Sequence, residues 1–290
     1  MKERRKVALV LSGGGARGIA HIGVIEELEK RGFEITSIAG TSMGSLIGGA
    51  YAAGKMDALK NWICTLDKAK VFGLVDFTLS KQGLIKADKA LKKMKEYVPD
   101  MPIEELPLPY AAVAVDVVHN QEVVYREGSL YRAIRASIAI PGVITPVRED
   151  KRLLVDGGVL NNIPMAHVKR TEGDMLVAVY VNADIPFDQP KPTRDSEKKL
   201  KLYQKKIADF YAHLTKFFSS SGDEELGYFS LASTVFDLMT MRMAEDRIKE
   251  YKPEVLIRVS RESCNVFDFY KAEEQVEAGR RAAIQVLDSL

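Results

Sequence analysis

The chain has little of what usually announces a protein's chemistry. Across 290 residues there are two cysteines, four histidines and one tryptophan. Cys64 and Cys264 stand in dissimilar surroundings with no C-x-x-C spacing, so reduced thiols are expected rather than a disulfide or a metal site. The histidines show no H-E-x-x-H or similar ligand spacing, and no metal and no cofactor are expected. An excess of charge is missing too: 42 Lys and Arg against 40 Asp and Glu leave a formal net charge of +2. That is too little for a nucleic-acid binder held by bulk electrostatics. No apolar run reaches the roughly 20 residues that span a bilayer. The basic start, Met1 to Lys6, leads into a glycine-interrupted strand and not an apolar leader with a small-residue cleavage site, which predicts a cytoplasmic address. What is present, 46% hydrophobic and 28% charged residues, is a globular composition, and the length suits one large domain with an insertion.

The pattern that is present opens with Lys6 to Leu11, a continuous apolar run of the kind buried on both faces of a parallel sheet. A glycine loop, Ser12 to Gly18, follows, then a helix with Ile19, Ile22, Val24, Ile25 and Leu28 at helical spacing, stopped at Gly32. The strand Ile35 to Gly40 then runs into Gly40-Thr41-Ser42-Met43-Gly44, the G-x-S-x-G frame of a nucleophile elbow. Small residues two before and two after the serine let strand and helix approach, and the hydroxyl is left on the tip of the turn. The helix that begins there directs free N–H groups and the positive end of its dipole at Ser42, favouring an alkoxide. The frame alone also fits a plain glycine turn.

Gly13-Gly14-Gly15-Ala16-Arg17-Gly18 also satisfies G-x-G-x-x-G, but the acidic residue a dinucleotide site needs at the end of the second strand is absent, and no Gly-Lys-Ser/Thr closes a P-loop. The functional reading that remains is an oxyanion hole, in which residues without side chains turn amides toward a developing negative oxygen. A tight turn without a ligand is the alternative. Arg17, in the first helical turn, is a candidate anion or head-group contact, or simply solvated. Farther on, Arg152 to Val155 reads as an apolar strand that ends on Asp156 and two glycines. A buried carboxylate needs a partner; if the partner is Ser42, Asp156 can take its proton as general base. Otherwise this is an Asp-Gly-Gly turn. Between these blocks lie amphipathic helices over Met56 to Asp67 and Asp88 to Tyr97, a strand over Tyr110 to Val118 with a return over Val123 to Tyr125, and a helix ending near Ser137 before Pro141. Ser137 reads as a cap or packing hydroxyl, Trp62 as packing and His119 as a surface residue.

Taken in order, the glycine loop, Gly40-Thr41-Ser42-Met43-Gly44, Ala136-Ser137-Ile138-Ala139-Ile140-Pro141 and Asp156-Gly157-Gly158 resemble the patatin-like phospholipase family, over roughly residues 6 to 182. The resemblance implies a serine hydrolase with a Ser-Asp dyad and no catalytic histidine, acting on phospholipids, lysophospholipids or related acyl esters. Ser42 would be the nucleophile, Asp156 the base, and Gly13, Gly14 and Gly15, with the Met43 amide, the oxyanion hole. A Ser-Asp-His triad through His167 is weighed against this, since the chain order fits α/β-hydrolases; the helix-like setting of His167 favours the dyad. His21 reads as packing. The rival functions are an acyltransferase using the same acyl-enzyme, a lipid-binding regulatory protein with a vestigial dyad, and a nucleotide-binding oxidoreductase.

The expected fold is three-layer α/β/α with a mostly parallel central sheet, one domain over 1–290, and a C-terminal helical insertion or lid over 185–252. Asp174 to Val181 resumes the sheet, Glu254 to Val259 is a late strand and Phe267 to Leu287 a closing helix. Within the insertion, Lys191 to Lys206 is strongly basic. Tyr203, Ile207, Phe210, Leu214 and Phe217 fall at helical spacing, and a second helix covers Leu231 to Tyr251. Either this is a packed hairpin or residues 191–218 contact an anionic membrane.

Overall fold

Strand β1 (Arg5–Leu11) is buried from Val7 onward, as its unbroken apolar run requires of a strand covered on both faces. In this computed structural model, which describes residues 5–76, 78, 85–187 and 228–290, it stands near the middle of the sheet. The strands that follow are β2 (Phe33–Thr41), β3 (Tyr110–Asp116), β4 (Gln121–Tyr125), β5 (Val147–Glu149), β6 (Arg152–Asp156), β7 (Met175–Ala183) and β8 (Val255–Ser260). Their order is β5-β6-β3-β2-β1-β7-β8, with β4 on β3. From β3 to β8 every pairing is parallel, whereas β4, β6 and β5 add an antiparallel margin. The sheet is therefore mixed, flanked by helices.

The helices are α1 (Ala20–Lys30), α2 (Met43–Ala52), α3 (Met56–Cys64), α4 (Lys68–Gly73), α5 (Asp88–Met94), α6 (Leu130–Ser137), α7 (Tyr228–Tyr251) and α8 (Ala272–Leu287). Alternate residues of β1 face opposite layers. Ala8 and Val10 share a core with Tyr180 and with Ala244 and Ile248 of α7. On the other face α2 comes so near that a Cβ on Gly48 would meet Ile38 and Leu11. There α1 and α8 touch backbone to backbone, with Gly23 against the Val276 carbonyl and Gly279 against the Ala20 carbonyl.

The chain divides into two compact units, one of Met1–Pro186 with Thr240–Leu290, the other Phe187–Met239. Of the second, the described part is Phe187 and the first turns of α7, where Leu231, Val235, Leu238 and Met239 are exposed. The basic run Lys191 to Lys206, the helix expected around Tyr203 to Phe217 and the stretch 191–218 lie outside the described residues. Among the described residues no helix is long and apolar enough to cross a membrane, and Cys64 and Cys264 are free thiols.

One detail of register positions the site. Val113 of β3 pairs Thr41 on one edge and Val124 on the other; the next residue, Ala114, pairs Asp156 and Val123. Since β4 occupies one edge of β3 throughout, β2 and β6 share the opposite edge. They run toward each other along it, β2 parallel and β6 antiparallel to β3, and end on adjacent rungs. Ser42 and Asp156 are thus delivered to one spot by two strands that abut.

Candidate active site

Ser42 sits between β2 and α2 at φ 54° and ψ −124°, a left-handed conformation strained for a residue with a side chain. The surroundings hold it there. Gly40 lies against the backbone of Gly44, and Gly44 against the Leu11 carbonyl, so a Cβ at either would collide with main chain. The Ser42 amide donates to Ser137 Oγ at 2.9 Å, and the Ser137 hydroxyl donates in turn to the Val113 carbonyl at 2.6 Å. Ser137 is thus more than packing: it ties the elbow to β3. Met43 and Gly44, as the first residues of α2, have amides with no intrahelical acceptor.

Asp156 ends β6, 5% exposed. Its Oδ1 accepts the Gly158 amide at 2.7 Å, while its buried Oδ2 has no hydrogen-bond partner among the described residues. Burial pushes its pKa up from 3.8 to about 6, against the pull of the Ser42 hydroxyl and the Gly158 amide. The hydroxyl is thus near enough to act on the carboxyl, although the pair is not drawn into a full hydrogen bond. Such bonds often tighten only when substrate is present.

The glycine loop faces the same spot. A Cβ at Gly13 would sit 3.1 Å from Ser42 Cβ and 2.6 Å from Asn162 Oδ1. Gly13 differs from its expected role, because its amide already donates to the Asn162 carbonyl at 3.0 Å. The amides of Gly14 and Gly15 have no acceptor among the described residues and remain available, as does that of Met43. Arg17 donates to the carbonyls of Gly14 (3.4 Å) and Arg261 (3.2 Å), bracing the loop.

The three described histidines are placed elsewhere. His21 is fully buried with Nε2 donating to the Ser12 carbonyl, and burial lowers its pKa to about 4, so it stays neutral. His167 Nε2 is 2.6 Å from Glu122 Oε2. That bond, with help from Asn161, holds the Glu122 carboxyl below its usual range. His119 pairs with Asp116 at 2.6 Å.

Sequence reasoning missed three residues that clamp these parts. The Asn161 carbonyl accepts the Thr41 hydroxyl at 2.8 Å, the Asn162 carbonyl accepts the Gly13 amide, and Asn182 Nδ2 donates to the Gly13 carbonyl at 2.7 Å. Asn182 carried a readable signal, a polar residue near the end of an otherwise apolar strand, the same signal that marks Asp156. A cleft of about 440 Å³ opens where β3 enters the sheet, walled in part by Ile38, Tyr110, Arg126, His167 and Lys169; neither Ser42 nor Asp156 lines it.

A serine on a strained strand-to-helix corner, opposite a glycine loop in a mixed α/β sheet, has the geometry of a nucleophile elbow. The comparison with known families is narrower. The family model for patatin-like phospholipases matches residues 9–168, and the chain belongs to that family, which implies lipid acyl hydrolysis. An uncharacterised NTE family protein of Mycobacterium tuberculosis is 33% identical over 98% of this chain and 92% of its own length. Patatin-like phospholipase domain-containing protein 6 of Mus musculus is 34% identical over 63% of this chain and 14% of its own. Among solved structures, VipD from Legionella pneumophila superposes with a TM-score of 0.52 over 99% of this chain and 67% of that one, at 17% identity, a likeness of fold.

Proposed function

We propose that the protein hydrolyses acyl esters of phospholipids or lysophospholipids through a Ser42–Asp156 dyad. The observation that carries this reading is the buried Asp156 carboxyl, its Oδ2 without a partner among the described residues, beside a serine held in a strained turn. Asp156 takes the proton from Ser42 Oγ as that oxygen attacks the ester carbonyl. The amides of Gly14, Gly15 and Met43 receive the negative charge of the tetrahedral intermediate. Its collapse expels the alcohol portion, which takes the proton from Asp156 and leaves the acyl group on Ser42. Water, deprotonated by Asp156, then releases the fatty acid. Arg17 brings positive charge beside the loop, suited to a lipid phosphate.

The membrane-facing part of the proposal rests on Leu231, Val235, Leu238 and Met239. They are exposed at i, i+4, i+7 and i+8 of α7, a spacing that suits an apolar face laid on a bilayer. With the basic run before it, residues 185–252 would be an insertion through which a cytoplasmic enzyme meets anionic lipid. Liposomes of anionic lipid should pellet the protein at low salt and release it at high salt. The catalytic test is turnover of a short acyl ester and a lipid panel beside Ser42→Ala and Asp156→Ala; full activity in either variant would end the dyad reading.

A further inference from the structure

The least expected contact at the site is made by Asn182, near the end of β7. Its Nδ2 donates to the Gly13 carbonyl at 2.7 Å. A carbonyl only accepts and only the amino end of a carboxamide donates, so this bond fixes which way the side chain is turned. The choice has a cost. Asn182 Oδ1 is left buried without a partner among the described residues, typically ~1–3 kcal/mol for such a group. An arrangement that tolerates this loss invites a functional explanation.

Topology supplies one. The peptide joining Gly13 and Gly14 is planar and trans, so the Gly13 carbonyl and the Gly14 N–H point in opposite directions. At the end of β1, Leu11 pairs Gly40 of β2 on one side and Val179 of β7 on the other. Asn182 belongs to the β7 side and Ser42 follows β2. Drawing the Gly13 carbonyl toward Asn182 therefore turns the Gly14 N–H toward the side where Ser42 stands. The bond from the Gly13 amide to the Asn162 carbonyl, 3.0 Å, fixes the preceding peptide as well.

We propose that Asn182 is a positioning residue that sets the plane of the Gly13–Gly14 peptide and so presents the Gly14 amide to the oxyanion formed at Ser42. Released from Asn182, this side-chain-free peptide can turn over and offer the negative end of a carbonyl where a donor is needed. The proposal rests on the acyl-hydrolase reading above, and it singles out Gly14 among the candidate donors.

The test uses the full chain on a soluble acyl ester. Asn182→Asp keeps the shape of the side chain and, when ionised, carries no donor. Its kcat should fall about 10²-fold, the loss typical of one oxyanion donor, with KM within about threefold. Affinity for a trifluoromethyl ketone, which forms a tetrahedral adduct with a serine, should fall in step with kcat in protein that is folded at the assay temperature, although a charge buried at this position lowers the melting temperature. A packing role would instead move KM and melting temperature without the matched loss of kcat and ketone affinity. Should Asn182→Asp fail to fold, Asn182→Ala, free of like-charge contact, carries the same measurements. A kcat within threefold of wild type, or a loss of kcat that follows loss of folded protein, overturns the proposal. Ser42→Ala and Asp156→Ala controls separate the two levels: if they stay active the dyad itself is wrong, and if they are dead while Asn182→Asp is active only the role of Asn182 falls.

Discussion

Two places within a few residues of each other on β2 differ in almost every respect. Around Ile38, where β3 enters the sheet, there is room, a cleft of about 440 Å³, and several polar groups near it are occupied. His167 Nε2 is bound to Glu122, the His167 carbonyl accepts Arg126, and a Glu104 oxygen accepts the Gly128 amide. Ser42 lines no part of that cleft, yet near it Asp156 Oδ2, Asn162 Oδ1 and Asn182 Oδ1 are buried without a partner among the described residues, and the backbone is strained. Volume is a common guide to a binding site. The proposed dyad follows unspent polar capacity instead, since a fold retains such costs where something else requires them.

The contrast can be broken by substitution on either side. Ser42→Ala should lower ester turnover by about 10⁴-fold or more, since removal of a nucleophile leaves only binding and the oxyanion donors. Asp156→Asn should cost on the order of 10⁴-fold. The same substitution should raise the melting temperature at neutral pH, because it removes a buried charge. A carboxyl whose pKa rises from 3.8 to about 6 on folding contributes most to stability below pH 4. That contribution is lost as pH rises through 4 to 6, at most about 3 kcal/mol at 1.36 kcal/mol per unit. Asp156→Asn should flatten this stretch of the melting-temperature profile, and wild-type kcat/KM should fall as pH drops through about 6. Gly44→Ala, whose Cβ would enter the Leu11 carbonyl, should destabilise by about 1–3 kcal/mol in urea unfolding. The smallest effect belongs to the cleft: His167→Ala should leave turnover within about threefold of wild type. A loss comparable to that of Asp156→Asn would restore the triad and place the chemistry nearer the cleft.

How far the sequence reveals this molecule depends on how local each feature is. β1, α2 and α6 follow from runs and spacings within a dozen residues, and the helix expected to end near Ser137 is α6. The elbow is legible because its glycines fall two residues to either side of the serine, although the contact that requires Gly44 is with the Leu11 carbonyl, far back in the chain. The return strand β4 is legible as a hairpin, but the short strand β5 and the antiparallel pairing of β6 are not, since nothing within Arg152–Asp156 says which strand it joins or in which direction. Asn161, Asn162 and Asn182 act largely through main-chain contacts made by residues far apart in the chain. The closing helix begins at Ala272, later than Phe267, because a short 3-10 turn over Phe269–Lys271 precedes it.

The abutment of β2 and β6 on one edge of β3 also has a meaning for biosynthesis. Neither strand carries its partner's functional group, and both are held in line by a third that is made between them. On the proposed dyad, a nascent chain that has emerged only as far as β3 displays Ser42 without Asp156, and the pair is complete only when the last of the three strands zips into place.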